Sequence, residues 1–150
     1  MSDSDKQYSK KNPTDRSLPI ALLRAREKVM APIRVMLLRA GVTEQQWRVL
    51  RVLDETGQVD ASEIAKRACL LMPSLTRIIQ TLYENGYVTR TRDTQDRRRQ
   101  IIDITKAGQT LIEDNMAESR KISENLEEQF GPQNVAQLLD LLNALDELKS

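Results

Sequence analysis

Arg97, Arg98 and Arg99 stand consecutively within a stretch, Val88 to Thr105, whose pattern is that of two short strands joined by a tip. Val88-Thr89-Arg90-Thr91-Arg92 alternates with the period of two of a half-buried strand, and Gln100-Ile101-Ile102-Asp103-Ile104-Thr105 is β-branched enough to return beside it. Three guanidiniums at a hairpin tip are chemistry for a polyanion. The planar fork keeps its charge, pairs with phosphate oxygens and fits a narrow minor groove. Taken alone, the run equally fits a solvated charged turn, so the elements that precede it have to decide.

A second set of cations lies in the first predicted helix. Arg26 falls four residues after Leu22 and four before Met30, inside an apolar stripe, and Arg34 borders the same stripe between Met30 and Leu37. A guanidinium on an apolar face needs a carboxylate or a route to water. A ligand carboxylate would satisfy it, with Trp47 on the next helix as an aromatic wall. An acidic residue of the C-terminal helices, reached across a subunit boundary, would satisfy Arg26 equally, and snorkelling to solvent would serve Arg34. Trp47 is expected in the core first, with a pocket edge as its second role.

Other chemistry is narrowed by what the 150 residues lack. There is no histidine, which removes imidazole bases, Ser-His and Cys-His pairs and His-ligated metals. No Gly-rich phosphate loop is present. No enzyme activity, cofactor or metal is therefore expected. No apolar run approaches the ~18 residues of a membrane span, and the single cysteine, Cys69, fits a reducing, cytoplasmic setting. The net charge of +1 conceals a gradient: residues 61–106 carry nine basic and five acidic side chains, residues 107–150 three and nine. The basic middle could face nucleic acid while the acidic end points elsewhere.

The positioning elements follow from caps and periodicity. Residues 1–16 are polar, with Pro13 and no apolar period, and are expected to form a flexible arm. A long helix is predicted over Leu18–Arg39 on the stripe Leu22, Val29, Met30, Ile33 and Leu37, kinked at Pro32 and stopped at Gly41. Thr43 and Gln46 form a capping-box pattern that opens a helix through Trp47, Leu50 and Leu53 to Gly57. Asp60 or Ser62 opens a short helix with Ile64, Ala65 and Ala68, followed after Cys69 by a helix with Pro73 in its first turn. That helix is expected to bury Leu75, Ile78, Ile79 and Leu82 and to show Ser74, Thr76, Arg77, Gln80 and Thr81, ending at Asn85-Gly86. Two short helices running into an arginine-tipped hairpin make a winged helix-turn-helix, with the second helix in the major groove and the wing on the adjacent backbone or minor groove. Two more helices follow, broken at Gly131-Pro132, the last on Val135, Leu138, Leu139, Leu142, Leu145 and Leu148. Their apolar faces, with that of the first helix, exceed what a small wing domain covers, so a dimer is expected over a seam within one monomer. The fold class is thus mainly α, a winged helix-turn-helix with a small β-hairpin wing and N- and C-terminal helices forming a dimerisation region.

From about Ser17 to Leu148 the chain resembles the MarR family of bacterial transcriptional regulators. The wing carries Asp96-Arg97-Arg98 followed by Ile104-Thr105 and Gly108, similar to the family's D-R-R…L-T…G signature with Ile in place of Leu. Ser17 to Glu27, Thr43 to Arg48, Arg67-Ala68-Cys69 and Pro73-Ser74-Leu75-Thr76 resemble the subgroup that regulates homoprotocatechuate degradation. The resemblance implies one domain over 17–150, with a DNA-binding winged helix at about 42–106 and dimerisation helices at about 17–40 and 107–149. It implies a homodimeric repressor of an aromatic-acid catabolic operon, bound to a pseudo-palindromic operator in double-stranded DNA and released by a small aromatic carboxylate. Carried over by position, Arg97 is the minor-groove arginine, and Arg98 pairs with Asp96 or a phosphate and stiffens the wing, with Arg99 beside them. Pro73, Ser74, Thr76, Arg77 and Gln80 fall on the recognition helix. Arg77 could read a guanine edge and Gln80 an adenine, or either could hold only a phosphate. Ser17 and Arg48 neighbour the effector region of Arg26, Arg34 and Trp47 in the resembled arrangement.

Two other readings stay open at this level. A redox-sensing repressor could switch through Cys69, although the apolar neighbours Ala68, Leu70 and Leu71 favour a buried, inert thiol. A helical dimeric interaction adaptor could leave the hairpin merely solvated. Steep salt dependence of DNA binding separates the adaptor from the regulator.

Overall fold

The computed structural model describes residues 13–149. The first helix, α1 (Leu18–Ala40), leaves an extended Ser17, takes Pro19 into its first turn and ends on Gly41 at φ +77°. Gly tolerates that left-handed turn because it has no Cβ. The helix continues through Pro32, and its buried residues are Met36 and Leu37, of which only Leu37 belongs to the expected stripe. Of the expected flexible arm, residues 1–12 lie outside the described residues. Pro13–Arg16 form a 3-10 turn, in which Asp15 takes a 2.8 Å ion pair from Arg24. The arm, expected to extend to residue 16, is thus ordered over its last four residues.

Helix α2 (Glu44–Thr56) carries the capping box in full. Thr43 Oγ1 accepts from the Gln46 backbone N–H at 3.1 Å, and Gln46 Oε1 accepts from the Thr43 N–H at 3.0 Å. Asp60 caps α3 (Ala61–Ala68), its Oδ1 accepting from the Glu63 N–H at 2.9 Å. Cys69 then takes the left-handed cap at φ +55°, and α4 (Met72–Glu84) follows with Pro73 in its first turn. The hairpin is β2 (Val88–Arg92) paired antiparallel with β3 (Gln100–Ile104), Arg90 opposite Ile102. A two-residue strand, β1 (Val59–Asp60), pairs with the other edge of β3 and gives the order β1-β3-β2. Periodicity could not announce it.

Thr105 caps α5 (Lys106–Phe130) and also donates its hydroxyl to the Gly86 carbonyl at 2.7 Å. Gly108 is required there by close approach, since a Cβ would sit 2.5 Å from the Tyr87 carbonyl oxygen. The Ile104-Thr105…Gly108 pattern therefore locks the exit of the wing to the start of α5. Helix α6 (Pro132–Asp146) closes the chain.

The core sits in the winged lobe. Leu50, Leu53, Ile64, Leu75, Ile79, Leu82, Val88, Ile102 and Ile112 are buried together, with Trp47 beside them. Helix α6 buries none of its residues, and Leu138, Leu139, Leu141 and Leu145 are exposed.

Candidate nucleic-acid interface

The face of α4 opposite its buried Leu75, Ile79 and Leu82 shows Pro73, Thr76 and Arg77, with Ser74 half-buried at its start. Arg77 makes no ion pair with any described residue. The Thr76 hydroxyl donates back to the Met72 carbonyl at 3.0 Å. Gln80 lies on the flank toward the wing: its Oε1 accepts from Arg90 Nη1 at 2.5 Å and its Nε2 donates to Glu84 Oε1 at 2.7 Å.

The wing tip, residues 93–99, is closed by its own backbone. The Asp93 N–H donates to the Arg99 carbonyl and the Arg99 N–H to the Asp96 carbonyl, each at 3.0 Å. Arg92 Nη1 adds a 3.0 Å bond to the Arg97 carbonyl. This closure separates the three arginines. Arg99 is turned back onto Asp60 at 2.8 Å and Asp93 at 3.5 Å. Arg98 leaves 93% of its side chain in solvent, and its Nε lies 3.3 Å from Asp96 Oδ1. Arg97 is exposed, and its side chain has no ion-pair partner among the described residues. The Arg99 contact ties the tip to the cap of α3. The Glu63 N–H, the Ser62 hydroxyl and then Arg99 hold the Asp60 carboxyl below the usual carboxylate range.

The five residues expected near an effector do not share one cavity. Arg26 Nη2 donates to Glu44 Oε2 at 2.6 Å, and Arg34 Nε to Glu44 Oε1 at 2.7 Å. Arg34 also grips Glu27 with both terminal nitrogens, at 2.6 and 3.0 Å. Within one chain the acidic partner is thus Glu44, one turn before Trp47 on α2. Snorkelling is not what satisfies Arg34. The two guanidiniums lower the Glu44 carboxyl, and Arg34 lowers that of Glu27 and is itself raised. Trp47 is buried and, with Arg48, Arg51, Val52 and Glu55, edges a shallow pocket of about 230 Å³. Arg48 donates from Nη1 to the Ala68 carbonyl at 2.8 Å, while its buried Nε has no partner. Ser17 sits at the N-terminus of α1, roughly 25 Å from Arg34 at 1.5 Å rise per residue. A separate groove of about 350 Å³ runs between α1 and α5 beside Pro32, Ile33, Ile122 and Leu126.

Cys69 is exposed, contrary to expectation, because the left-handed cap turns it out of the apolar segment around it. Arg67, the cation nearest in sequence before it, is engaged by Glu63 at 2.8 Å. Glu44 and Arg90 were missed by sequence reasoning. For Arg90 a signal existed: it shares strand parity with the buried Val88 and so points inward.

A capped two-helix unit, a helix with an open polar face and a basic hairpin define a winged helix-turn-helix transcriptional regulator. The comparisons with known proteins agree. The MarR family model matches residues 42–99. The homoprotocatechuate degradative operon repressor of Escherichia coli is 40% identical over 126 residues, covering 84% of this chain and 85% of that protein. The chain belongs to the MarR family. NadR, solved in complex with 4-hydroxyphenylacetate, superposes with a TM-score of 0.78 at 37% identity over 89% of this chain and 94% of that one. The repressor CouR, solved on a 23-mer DNA duplex, superposes at 0.80 with 26% identity over 89% and 94%. No helix among the described residues is long and apolar enough to cross a membrane.

Proposed function

We propose that the protein is a homodimeric repressor of an aromatic-acid catabolic operon, bound to a pseudo-palindromic operator and released by a small phenolic or aromatic carboxylate. The observation that carries the DNA reading is the pairing of two free cationic elements on one lobe. Among the described residues Arg77 on α4 and Arg97 on the wing have no ion-pair partner, and Arg98 has only its 3.3 Å contact with Asp96. In this reading residues 42–106 are the DNA-binding unit. Pro73, Ser74, Thr76 and Arg77, with Gln80 on the flank, enter the major groove. Arg97 enters the minor groove, Arg98 contacts phosphate with Asp96 stiffening the turn, and Arg99 anchors the wing beside them.

The dimer reading rests on α1 and α6, within residues 17–40 and 107–149. Leu22, Leu23, Leu138, Leu139 and Leu141 are exposed on these helices, and α6 buries none of its residues, so a second apolar surface would gain by covering them. The effector reading rests on Arg26 and Arg34, which stand along the apolar stripe of α1 and bond to Glu44, one turn before Trp47. A relative that represses a homoprotocatechuate operon and a neighbour that holds 4-hydroxyphenylacetate support an aromatic acid as the class. In a dimer Ser17 of one protomer could approach the pocket of its partner, with Arg48 closing the Trp47 side.

Fluorescence anisotropy on DNA from upstream of the protein's own gene, and on other promoters, tests this with and without homoprotocatechuate and 4-hydroxyphenylacetate. Tight, strongly salt-dependent binding lost on adding one acid is expected. Binding indifferent to both acids but lost on adding hydroperoxide would replace the effector with Cys69, whose exposure favours that second reading. Binding to no promoter would favour the adaptor.

A further inference from the structure

We propose that Arg90 is a positioning residue that locks Gln80 as a brace between wing and recognition helix, so that Gln80 does not read a base. The proposal rests on the DNA-binding reading above. Arg90 stands on β2 opposite the fully buried Ile102 and two residues after the buried Val88, so its side chain leaves the hairpin on the face packed against α4. There its guanidinium lies over the Tyr83 ring, 4.3 Å from the centroid, and donates to Gln80 Oε1 at 2.5 Å. Gln80 Nε2 donates onward to Glu84 Oε1 at 2.7 Å. One cation therefore spans from the wing to two successive turns of α4.

The charges at the two ends fix which way the Gln80 amide points. Its oxygen faces a guanidinium and its nitrogen faces a carboxylate. A flipped amide would set NH₂ against Arg90 and the carbonyl against Glu84, losing both bonds and adding two repulsions. Reading adenine needs the same oxygen and nitrogen together, aimed at N6 and N7 of the base. Each atom keeps one further lone pair or N–H. Both are nonetheless held by charge-assisted bonds, roughly twice as strong as neutral ones, that fix the amide against Arg90 and Glu84 rather than leaving it free to turn to a base. Base reading by α4 then falls to Ser74, Thr76 and Arg77, while Arg90 and Gln80 fix the angle between that helix and the wing that carries Arg97. Arg99 on Asp60 is the second strap, at the far end of the hairpin.

The test is a double-mutant cycle on the full chain, with operator affinity read by anisotropy over a range of salt. Gln80→Ala and Arg90→Met are each expected to weaken binding about tenfold. The double variant should be no worse than either single one, because both break the same brace. The salt slope should stay at the wild-type value, base preference at every operator position should be unchanged in Gln80→Ala, and Arg90→Lys should recover part of the loss. Additive losses, or relaxed preference at one operator position in Gln80→Ala, would overturn the proposal and make Gln80 a base reader. A salt slope reduced by about 0.9 in Arg90→Met would overturn it by making Arg90 a phosphate contact. Should Arg90→Met fail to fold, the base preference of Gln80→Ala decides alone. Wild-type protein that binds no DNA would remove the underlying reading as well, and this is seen before any variant is made.

Discussion

The winged lobe and the long helices α1 and α6 leave opposite things open. In the lobe Leu50, Leu53, Ile64, Leu75, Leu82 and Ile102 are fully buried, and the large apolar side chains left exposed, Leu71, Met72 and Tyr83, are confined to α4 and the turn before it. Its free groups are cationic, Arg77 and Arg97 above all. In the helices the arginines are engaged. All four arginines of α1 hold acids, Arg24 on Asp15, Arg26 on Glu44, Arg34 on Glu27 and Glu44, and Arg39 on Glu118. Their exposed leucines include Leu23 at 63%, Leu38 at 83% and Leu141 at 65% exposure. An uncompensated guanidinium attracts a polyanion over a Debye length, whereas an uncovered leucine gains only by contact with another apolar surface. In the function proposed above, nucleic acid answers the first region and a second copy of the chain the second.

The largest expected effect removes the apolar half of this contrast. Leu145→Glu on α6 should give a monomer in sedimentation velocity and weaken operator binding more than a hundredfold, since two linked lobes gain about 10²–10⁴ over one. A variant that stays dimeric would sink the assignment of α6 to the interface. The cationic half comes next. Arg97→Ala should lower operator affinity by ten- to about a hundredfold, reduce the salt slope by about 0.9 and leave the melting temperature unchanged. Unchanged affinity would return the wing to a solvated turn. Arg26→Ala probes the engaged cations: operator binding should change less than about twofold, within the scatter of a surface substitution, while release by the aromatic acid is lost. If dimerisation is lost instead, Arg26 serves the interface and not the effector.

Most elements were legible because their ends carry local chemistry. Thr43 with Gln46, Gly41, Asp60 and Gly86 each mark a boundary through a cap or a left-handed turn, and the alternation from Val88 to Arg92 gave the hairpin. The partners of charged groups were not legible, because pairing joins residues distant in sequence. Glu44 lies 18 residues from Arg26, and no helical period links them. The resemblance separated Arg97 from Arg98 but gave Arg99 no partner, and Asp60, 39 residues away, captures it. Strand β1 escaped because two residues show no period and pair only where β3 offers an open edge. Cys69 was misjudged because its apolar neighbours suggest burial, while a left-handed cap decides its direction.

The smallest expected effect compares two carboxylates of the lobe under acid, one bound to α1 and one to the wing tip. Glu44 and Asp60 are both held below their ordinary values, Glu44 by its bonds to Arg34 and Arg26, Asp60 by the Glu63 N–H, Ser62 and Arg99. A carboxyl lowered in the folded state contributes stability that is complete above its unfolded value, near 4. That contribution is lost as pH falls through the folded value, because the unfolded chain then binds more protons. The melting temperature should therefore be level, as far as these groups set it, from pH 7 to about 5, and decline below about 4. Glu44→Gln and Asp60→Asn should each make that decline shallower. Their costs at pH 7 should differ in kind. Asn at position 60 keeps a capping oxygen for α3 and loses the charge opposite Arg99, so it should lower the melting temperature by less than about 3 °C. Gln at position 44 leaves Arg26 without its acid on the helix that carries the open apolar face. If Arg26 is the effector's contact, that variant should still release DNA to the aromatic acid, and a titration of release at pH 7 reads it directly. Loss of release in Glu44→Gln would mean that the effector needs the carboxylate itself, and would shift the site from the cation to its partner.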